Sequence, residues 1–408
     1  MFETEVIFYQ PNAVMDSIGR HGIHVSLFDL RRRRTEHQVQ PINNEGILTE
    51  SSGKRALTSP FLVHLTHCVR FLWRQQVDLI HLNNSISSNQ VWMIAAAITR
   101  TPCITHERSL DPPRGRLTRF LAGRLRAIIC VSRAVEDHLK RHGIPDRLLH
   151  VIYNGIDPTA VEPRRSGKEV WRGLGRSDRL GPIVVMVGNI RRWKGQTTLV
   201  RAMTLVRRTY PDAQCLLVGA TSARDRRYAD DLGRLVCELG LESSVHLLGF
   251  QHGPDFMNIA HVVVHASVEP EPFGRVLLEA MALKKPIVGA DGGAVPEIVQ
   301  DGVTGRLVPA GDHVALAEAI KDVLADRPRA LRMADRGYDR VWADFHIART
   351  AAKTVALYEH VLGAPTSGSG VACHPVRVGS GQAEGMRTPT PPTADSRSGT
   401  REPRSRHA

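Results

Sequence analysis

Short, nearly continuous apolar runs recur along this chain, and each is followed by a turn-rich or helix-like stretch. Such runs are typical of parallel strands that are covered on both faces, because half-exposed strands alternate polar and apolar residues instead. Their alternation with helical segments predicts βαβ units, and hence an α/β protein built on doubly wound sheets. The runs are EVIFYQ (5–10), HVSLFDL (24–30), DLIHLN (78–83), PCITHE (102–107), AIICVS (127–132), HVIYNG (150–155), IVVMVG (183–188), QCLLVG (214–219), VHLLGF (245–250), VVVHAS (262–267) and PIVGAD (286–291).

The runs form two series, separated by a charged, proline-containing segment at 156–180. We therefore predict two Rossmann-like domains that face a cleft, and ligands of such sheets bind at the carboxyl ends of the strands. Beyond residue 363 the composition shifts to Gly, Pro, Ser, Thr and Arg, which predicts a disordered tail. The predicted boundaries are an acceptor-side domain at 1–160, a donor domain at 161–345, a helix crossing back to the first domain at 346–362, and the tail at 363–408.

The chain carries a formal charge of +13, which favours an anionic partner. Three classes are possible: a phosphorylated substrate, an anionic membrane face, or nucleic acid. No zinc finger, RNA-binding aromatic signature or helix-turn-helix spacing is apparent, so we expect no nucleic acid. A general preference for Arg in the composition explains the charge equally well.

The six cysteines lie mostly in apolar runs and form no Cys-x-x-Cys pair, which indicates reduced, buried thiols and a cytoplasmic protein. The first residues, MFETEVIFYQ, do not resemble a signal peptide, and no apolar run is long enough to cross a bilayer. Any membrane contact is therefore expected to be peripheral. The run of arginines at 31–34 could touch anionic headgroups, or could equally be a solvated loop.

Two segments of the second series combine charge with backbone freedom. Residues 188–195 place a Lys and two Arg between a strand and a helix start, as a diphosphate site requires, although a solvated basic turn has the same pattern. In residues 269–282, Gly274 allows close backbone approach at a second helix start, and Glu279 lies among apolar residues where a ribose diol could pair with it. Glu271 would point towards the attached sugar. A capping acid and a surface salt bridge are the simpler interpretation of these two acids.

Taken in order, the Lys-Gly turn, EPFG…E, DGGAVPE (291–297) and DGVTG (301–305) resemble the donor domain of family 4 glycosyltransferases. These are retaining enzymes with the GT-B fold. The Glu-x7-Glu spacing is met by Glu271 and Glu279, and Tyr153 to Asp157 resembles the motif at the domain crossover. His106 resembles a further family position. The resemblance covers roughly residues 5–360.

The resemblance implies a role for each matching residue. Lys194 would bind the donor diphosphate, Glu279 the ribose, and His106 the transferred sugar from the first domain. Glu271 would contact the donor sugar, together with the backbone of Phe273, Gly274 and Arg275. Many relatives have an Arg where this chain has Asn189, so either Arg191 or Arg192 would take its place.

The resemblance also implies the reaction and its partners. A nucleotide-diphosphate sugar is the donor, and a glycan or lipid-linked acceptor in cell-surface polysaccharide synthesis is the expected acceptor. The leaving diphosphate can accept the proton of the acceptor on the same face, which gives retention. Since no Asp-x-Asp occurs anywhere in the chain, no metal or other cofactor is expected, and cationic side chains must stabilise the diphosphate.

The amino-terminal part departs from the family pattern. The first run is followed by PNAVMDSIGRHG (11–22), which lacks a glycine pair and resembles the second βα unit of the family. We therefore expect the first βα unit to be absent, through either a misplaced start codon or a truncated gene. An inactive GT-B remnant that binds a nucleotide sugar or a partner is the alternative to an active enzyme.

Overall fold

The computed structural model describes residues 5–8, 24–27, 60–113, 115–173 and 181–363. The chain divides into two compact units, residues 1–29 with 372–408, and residues 30–371. In the first unit, β1 (Glu5–Phe8) pairs in parallel with β2 (His24–Leu27). The expected loss of a βα unit, the arginine run at 31–34 and the predicted tail beyond Gly363 lie outside the described residues.

In the second unit, a first sheet of four parallel strands has the order β3-β4-β5-β6. Each connection leads to the neighbouring strand on the same side, which is the pattern of consecutive βαβ units. The strands are β3 (Ile80–Leu82), β4 (Cys103–Glu107), β5 (Ala127–Cys130) and β6 (Leu149–Val151). The accompanying helices are α1 (Pro60–Gln75), α2 (Gln90–Thr99), α3 (Gly115–Ala122) and α4 (Arg133–Arg141).

A second sheet of six parallel strands has the order β12-β11-β10-β7-β8-β9. The chain runs outward from β7 to β9 and then returns to the other side of β7, so the topological switch lies between β7 and β10. The strands are β7 (Ile183–Val187), β8 (Gln214–Val218), β9 (Val245–Leu247), β10 (Val262–His265), β11 (Ile287–Asp291) and β12 (Arg306–Pro309). The helices are α5 (Gly167–Gly173), α6 (Gln196–Thr209), α7 (Arg226–Glu238), α8 (Gly253–Ile259), α9 (Arg275–Ala282), α10 (Val295–Ile298), α11 (His313–Ala325), α12 (Arg327–Asp344) and α13 (Ile347–Leu362).

The prediction of an α/β protein with two parallel sheets is confirmed, and the reversal of strand order beside β7 makes the second sheet doubly wound. Every predicted run overlaps a strand, but most strands end earlier than predicted, since the last residues of the runs form loops. The predicted strand at 150–155 is Leu149–Val151 instead, because the following residues lead into the crossover. The strand β12 was not predicted; it is a short edge strand that begins with Arg and ends with Pro.

The two sheets of the second unit are joined where the chain crosses between them. Ile156 bridges His346, and α13 then packs on the first sheet, with Leu357 in a core cluster beside Ile104 and Ile129. A side chain at Gly155 would place Cβ 2.6 Å from the Cα of Ile347, so the crossing segments require glycine there. Among the described residues, no helix has the combination of length and apolarity that crossing a membrane demands.

Loops at the carboxyl ends of the two sheets also contact each other. After β5, the Ser132 hydroxyl donates to the carbonyl of Pro272 at 2.7 Å. The Glu297 carboxylate accepts the backbone N–H groups of Arg133 and Ala134, both at 2.8 Å, at the start of α4. A carboxylate at a helix amino terminus satisfies unpaired N–H groups and is favoured by the helix dipole. These contacts fix the segments that contain Pro272 and Glu297, which follow strands β10 and β11 of the second sheet, to the loop and helix start after β5 of the first sheet.

Candidate active site

The turn after β7 packs closely against the backbone that follows β10. Gly195 has φ +77°, and a Cβ there would lie 1.9 Å from the carbonyl oxygen of Ala266. Only glycine allows both this left-handed conformation and this approach. The Lys-Gly sequence thus places Lys194, in the 3-10 turn Arg192–Lys194, beside the loop that contains Glu271.

Glu271 is the centre of a buried polar cluster. One of its carboxylate oxygens, Oε2, lies 2.6 Å from Lys194 Nζ. The same oxygen accepts hydrogen bonds from His265 Nε2 and Ser267 Oγ, both at 3.1 Å. His265 and Ser267 were missed in the sequence analysis, although polar residues at the carboxyl end of the apolar run VVVHAS are a signal for them.

These contacts determine the charge of Glu271. Burial alone would raise its pKa, but the hydrogen bond from His265 and the charge of Lys194 outweigh burial and lower the pKa to about 2. The carboxylate is therefore ionised at neutral pH, and Lys194 is its counter-ion. A Lys ammonium has three donors, so Lys194 can bind a phosphate oxygen while keeping its contact with Glu271.

Two glycines position the backbone around Glu271. Gly293 has φ +60°, and its Cβ would lie 2.3 Å from the carbonyl oxygen of Glu271, which accepts the N–H of Ala294 at 2.8 Å. Gly274, at φ +90°, precedes α9 and leaves its first turn without a side-chain cap or an acidic residue. The amino terminus of α9 therefore presents backbone N–H groups without a side-chain cap, and a positive dipole end, close in sequence to Glu271.

Glu279 lies on α9, where its carboxylate pairs with Arg275 Nε at 3.2 Å. Burial raises its pKa despite the Arg275 charge. The Arg275 side chain is 74% exposed, and its guanidinium is engaged with Glu279, one turn further along the helix. The structure thus places the two acids of the Glu-x7-Glu pattern in separate environments, Glu271 with Lys194 and Glu279 with Arg275.

The remaining cations of the turn after β7 face α7 and the segment before it. Arg191 Nε lies 3.4 Å from Asp225, and the guanidinium of Arg192 lies 5.3 Å from the ring centre of Tyr228. Only Lys194 of the three contacts Glu271 among the described residues. Asn189 is exposed, and its carbonyl accepts the side-chain N–H of Gln196 at 3.0 Å.

In the first sheet, His106 occupies the carboxyl end of β4 and is 6% exposed. Its ring stacks on His81 at a centroid distance of 5.6 Å, and Arg108 Nη2 lies 3.4 Å from its Nδ1. Burial, followed by the charge of Arg108 and the nearby His81, lowers the pKa of His106 to about 3. His81 and Arg108 were not predicted from the sequence as members of this group.

The arrangement suits an anionic ligand with an attached polar group. A cation and a helix amino terminus meet at the topological switch of the second sheet, where ligands of such sheets bind. A buried carboxylate beside the cation can accept hydrogen bonds from hydroxyl groups.

Two family models match the chain. Glycosyl transferases group 1 matches residues 169–340, and Glycosyltransferase Family 4 matches residues 15–160. The lipopolysaccharide core mannosyltransferase LpcC of Rhizobium leguminosarum bv. viciae is 30% identical over 249 residues, which are 60% of this chain and 68% of that protein.

Alpha-maltose-1-phosphate synthase of Mycolicibacterium smegmatis is 36% identical over 251 residues, which are 58% of this chain. The chain spans 63% of the length of that relative. Among solved structures, Anabaena Alr3699/HepE in complex with UDP and glucose has a TM-score of 0.73 at 26% identity, over 87% of this chain and 91% of that one.

Proposed function

The chain belongs to the group 1, family 4 glycosyltransferases, and from that premise we propose that it transfers a sugar from a nucleotide-diphosphate sugar with retention of configuration. The proposed acceptor is a glycan or lipid-linked glycan of cell-surface polysaccharide synthesis. Two relatives support this choice of acceptor, since they are named as lipopolysaccharide core mannosyltransferases.

One observation supports the donor assignment above all: the Lys194–Glu271 pair at the topological switch, beside the open amino terminus of α9. Lys194 and the N–H groups of α9 would bind the diphosphate, and Glu271 would accept hydroxyl protons of the sugar. Glu279, on the same helix, would bind the ribose. Anabaena HepE was solved with UDP and with UDP-glucose, which fits a donor of this class.

Retention of configuration depends on which group accepts the proton of the acceptor hydroxyl. Donor cleavage leaves a diphosphate oxygen on the face from which the sugar departs, and that oxygen can take the proton of the incoming acceptor hydroxyl. The new bond then forms on the same face, and no strong protein base is required. The protein must stabilise charge on the leaving group, and one such donor is typically worth about 3–4 kcal/mol.

The proposed reaction is tested by measuring turnover of the sugar donor and the anomeric configuration of the product. UDP-glucose and GDP-mannose are offered separately, and the anomer of released or transferred sugar is followed by proton NMR before mutarotation. We expect the α-anomer first from these α-linked donors. Initial release of the β-anomer would contradict retention, and donor binding without turnover would favour a binding protein over an enzyme.

We propose further that donor binding needs no divalent metal. The absence of Asp-x-Asp and the direct contact of Lys194 with Glu271 support a diphosphate held by cationic side chains. We expect the Kd of the donor nucleotide sugar to change less than twofold, by calorimetry, when 5 mM EDTA replaces 5 mM MgCl2. Loss of binding in EDTA that manganese or magnesium restores would contradict this.

A peripheral contact with anionic lipid is the last part of the proposal. Residues 60–77 and 115–126 contain Arg but no Asp or Glu. The helices of these segments, α1 and α3, expose Trp73, Leu117 and Phe120 at 58%, 53% and 58%. Exposed apolar side chains beside arginines match a headgroup region that is anionic outside and apolar beneath.

A double charge reversal on α3 tests this surface. We expect Arg116→Glu with Arg119→Glu to weaken binding to phosphatidylglycerol vesicles at least tenfold, because each charge near the surface is worth about 1 kcal/mol. Co-sedimentation at low salt measures it. The control is Arg332→Glu with Arg336→Glu, an exposed pair on α12. Equal losses in both variants would show only a response to net charge.

A further inference from the structure

Arg108 joins three loops at the carboxyl end of the first sheet. Its Nε donates to Asn83 Oδ1 after β3, and its Nη1 to Asn154 Oδ1 after β6, both at 2.8 Å. The remaining nitrogen, Nη2, faces Nδ1 of His106 at 3.4 Å. The guanidinium is therefore held by two neighbouring loops in front of one particular nitrogen of the His106 ring.

That contact selects a tautomer. Arginine has only donors, so the ring nitrogen that faces it must offer a lone pair. In a neutral imidazole the proton then resides on the other nitrogen, Nε2. The Nε2 atom of His106 is buried and has no hydrogen-bond partner in the described part of the chain. Buried N–H groups are nearly always paired, so this one points to a ligand atom.

The surroundings keep the ring neutral and in one orientation. The ionisable groups that face His106 are Arg108 from its own strand end and His81 from β3, both of which disfavour a positive charge. His81 stacks on the ring at 16° between planes, and its Nδ1 lies 2.6 Å from the hydroxyl of Tyr358 on α13. The neighbouring carboxylate, Glu107, accepts the backbone N–H groups of Ile86 and Ser109.

We propose that Arg108 is a positioning residue that fixes His106 with its proton on Nε2, so that His106 donates a hydrogen bond to a hydroxyl oxygen of the donor sugar. This inference rests on the proposed function. His106 then acts as a hydrogen-bond donor and not as a general base, because its Nδ1 faces a cation and its Nε2 already carries the proton.

The tautomer is measured on the free protein by nitrogen-15 NMR of the histidine rings, with His106→Gln to assign the signals. We expect the pattern of a neutral ring protonated at Nε2, unchanged between pH 5 and 8. In Arg108→Met, the tautomer protonated at Nδ1 becomes populated, whereas the control Arg126→Met, at the opposite end of the sheet, changes nothing. A wild-type ring that is protonated at Nδ1, or titrates in this range, would overturn the proposal.

The hydroxyl contact is measured by calorimetry with UDP-glucose and GDP-mannose against UDP and GDP. We expect Arg108→Met to weaken the sugar nucleotide about tenfold, the size of one lost hydrogen bond, and the plain diphosphate less than twofold. Equal weakening of both would indicate a merely structural role and refute the contact. Failure of the wild-type protein to bind either sugar nucleotide would refute both the proposed function and this contact. The tautomer would still be tested, because the NMR signals of the histidine ring are measured without a ligand.

Discussion

Replacing Gly195 by alanine is expected to lower the free energy of unfolding by about 3–5 kcal/mol, which is the size of effect that severe backbone strain produces. Two effects add at this position. The left-handed conformation, φ +77°, disfavours any residue with a Cβ, and that Cβ would lie 1.9 Å from the carbonyl oxygen of Ala266. The loops after β7 and β10 must separate to accommodate it, so Lys194 should also lose its contact with Glu271.

Gly240→Ala is the matched control for this substitution. Gly240 has φ +64°, and a Cβ there would meet no atom of the described residues within 4 Å. It therefore incurs only the conformational cost, about 1–2 kcal/mol. Urea denaturation and donor calorimetry of both variants separate the two effects. Equal destabilisation, with donor binding kept in Gly195→Ala, would show that the close approach of the two loops is unimportant.

The strands could be predicted because parallel strands that are buried on both faces consist of nearly continuous apolar residues. Their ends could not, since residues such as Ala266 and Ser267 continue the apolar or small pattern while already forming the loop that meets Gly195 and Glu271. The edge strand β12 has an intermediate burial pattern and lacks such a signal. The sequence thus predicts where cores lie better than where loops begin.

The site was predictable to the extent that motifs place residue types at strand ends. Three cations follow β7 within one turn, and the sequence could not say which of them turns towards Glu271, because the 3-10 conformation of residues 192–194 decides it. Arg108 was missed for a related reason. Its partners Asn83 and Asn154 lie 25 and 46 residues away and meet it only when the sheet forms.

The pair of Lys194 and Glu271 should respond sharply to loss of the cation. In Lys194→Met, the Glu271 carboxylate keeps His265 and Ser267 as its side-chain partners among the described residues. Leaving a buried charge without its counter-ion costs about 3–5 kcal/mol. A carboxylate whose folded pKa is about 2, against an ordinary 4.5, stabilises the fold above pH 4.5 and loses that contribution as pH falls towards 2. Removing Lys194 raises the folded pKa, so this contribution becomes smaller, and its loss, which still begins near pH 4.5, is complete at a higher pH.

The same substitution should also weaken binding of the donor. A charge-assisted hydrogen bond is worth about 1.5–3 kcal/mol, so we expect Lys194→Met to weaken binding of the donor nucleotide sugar about 10- to 100-fold. Binding of the nucleoside alone should change less than threefold, because Lys194 is assigned to the phosphates. Lys168→Met, at an exposed position on α5, controls for the loss of one positive charge. Calorimetry with both ligands at pH 7 measures the difference. If nucleoside and nucleotide sugar weaken by the same factor, Lys194 supports the loop through Glu271 and does not bind the diphosphate.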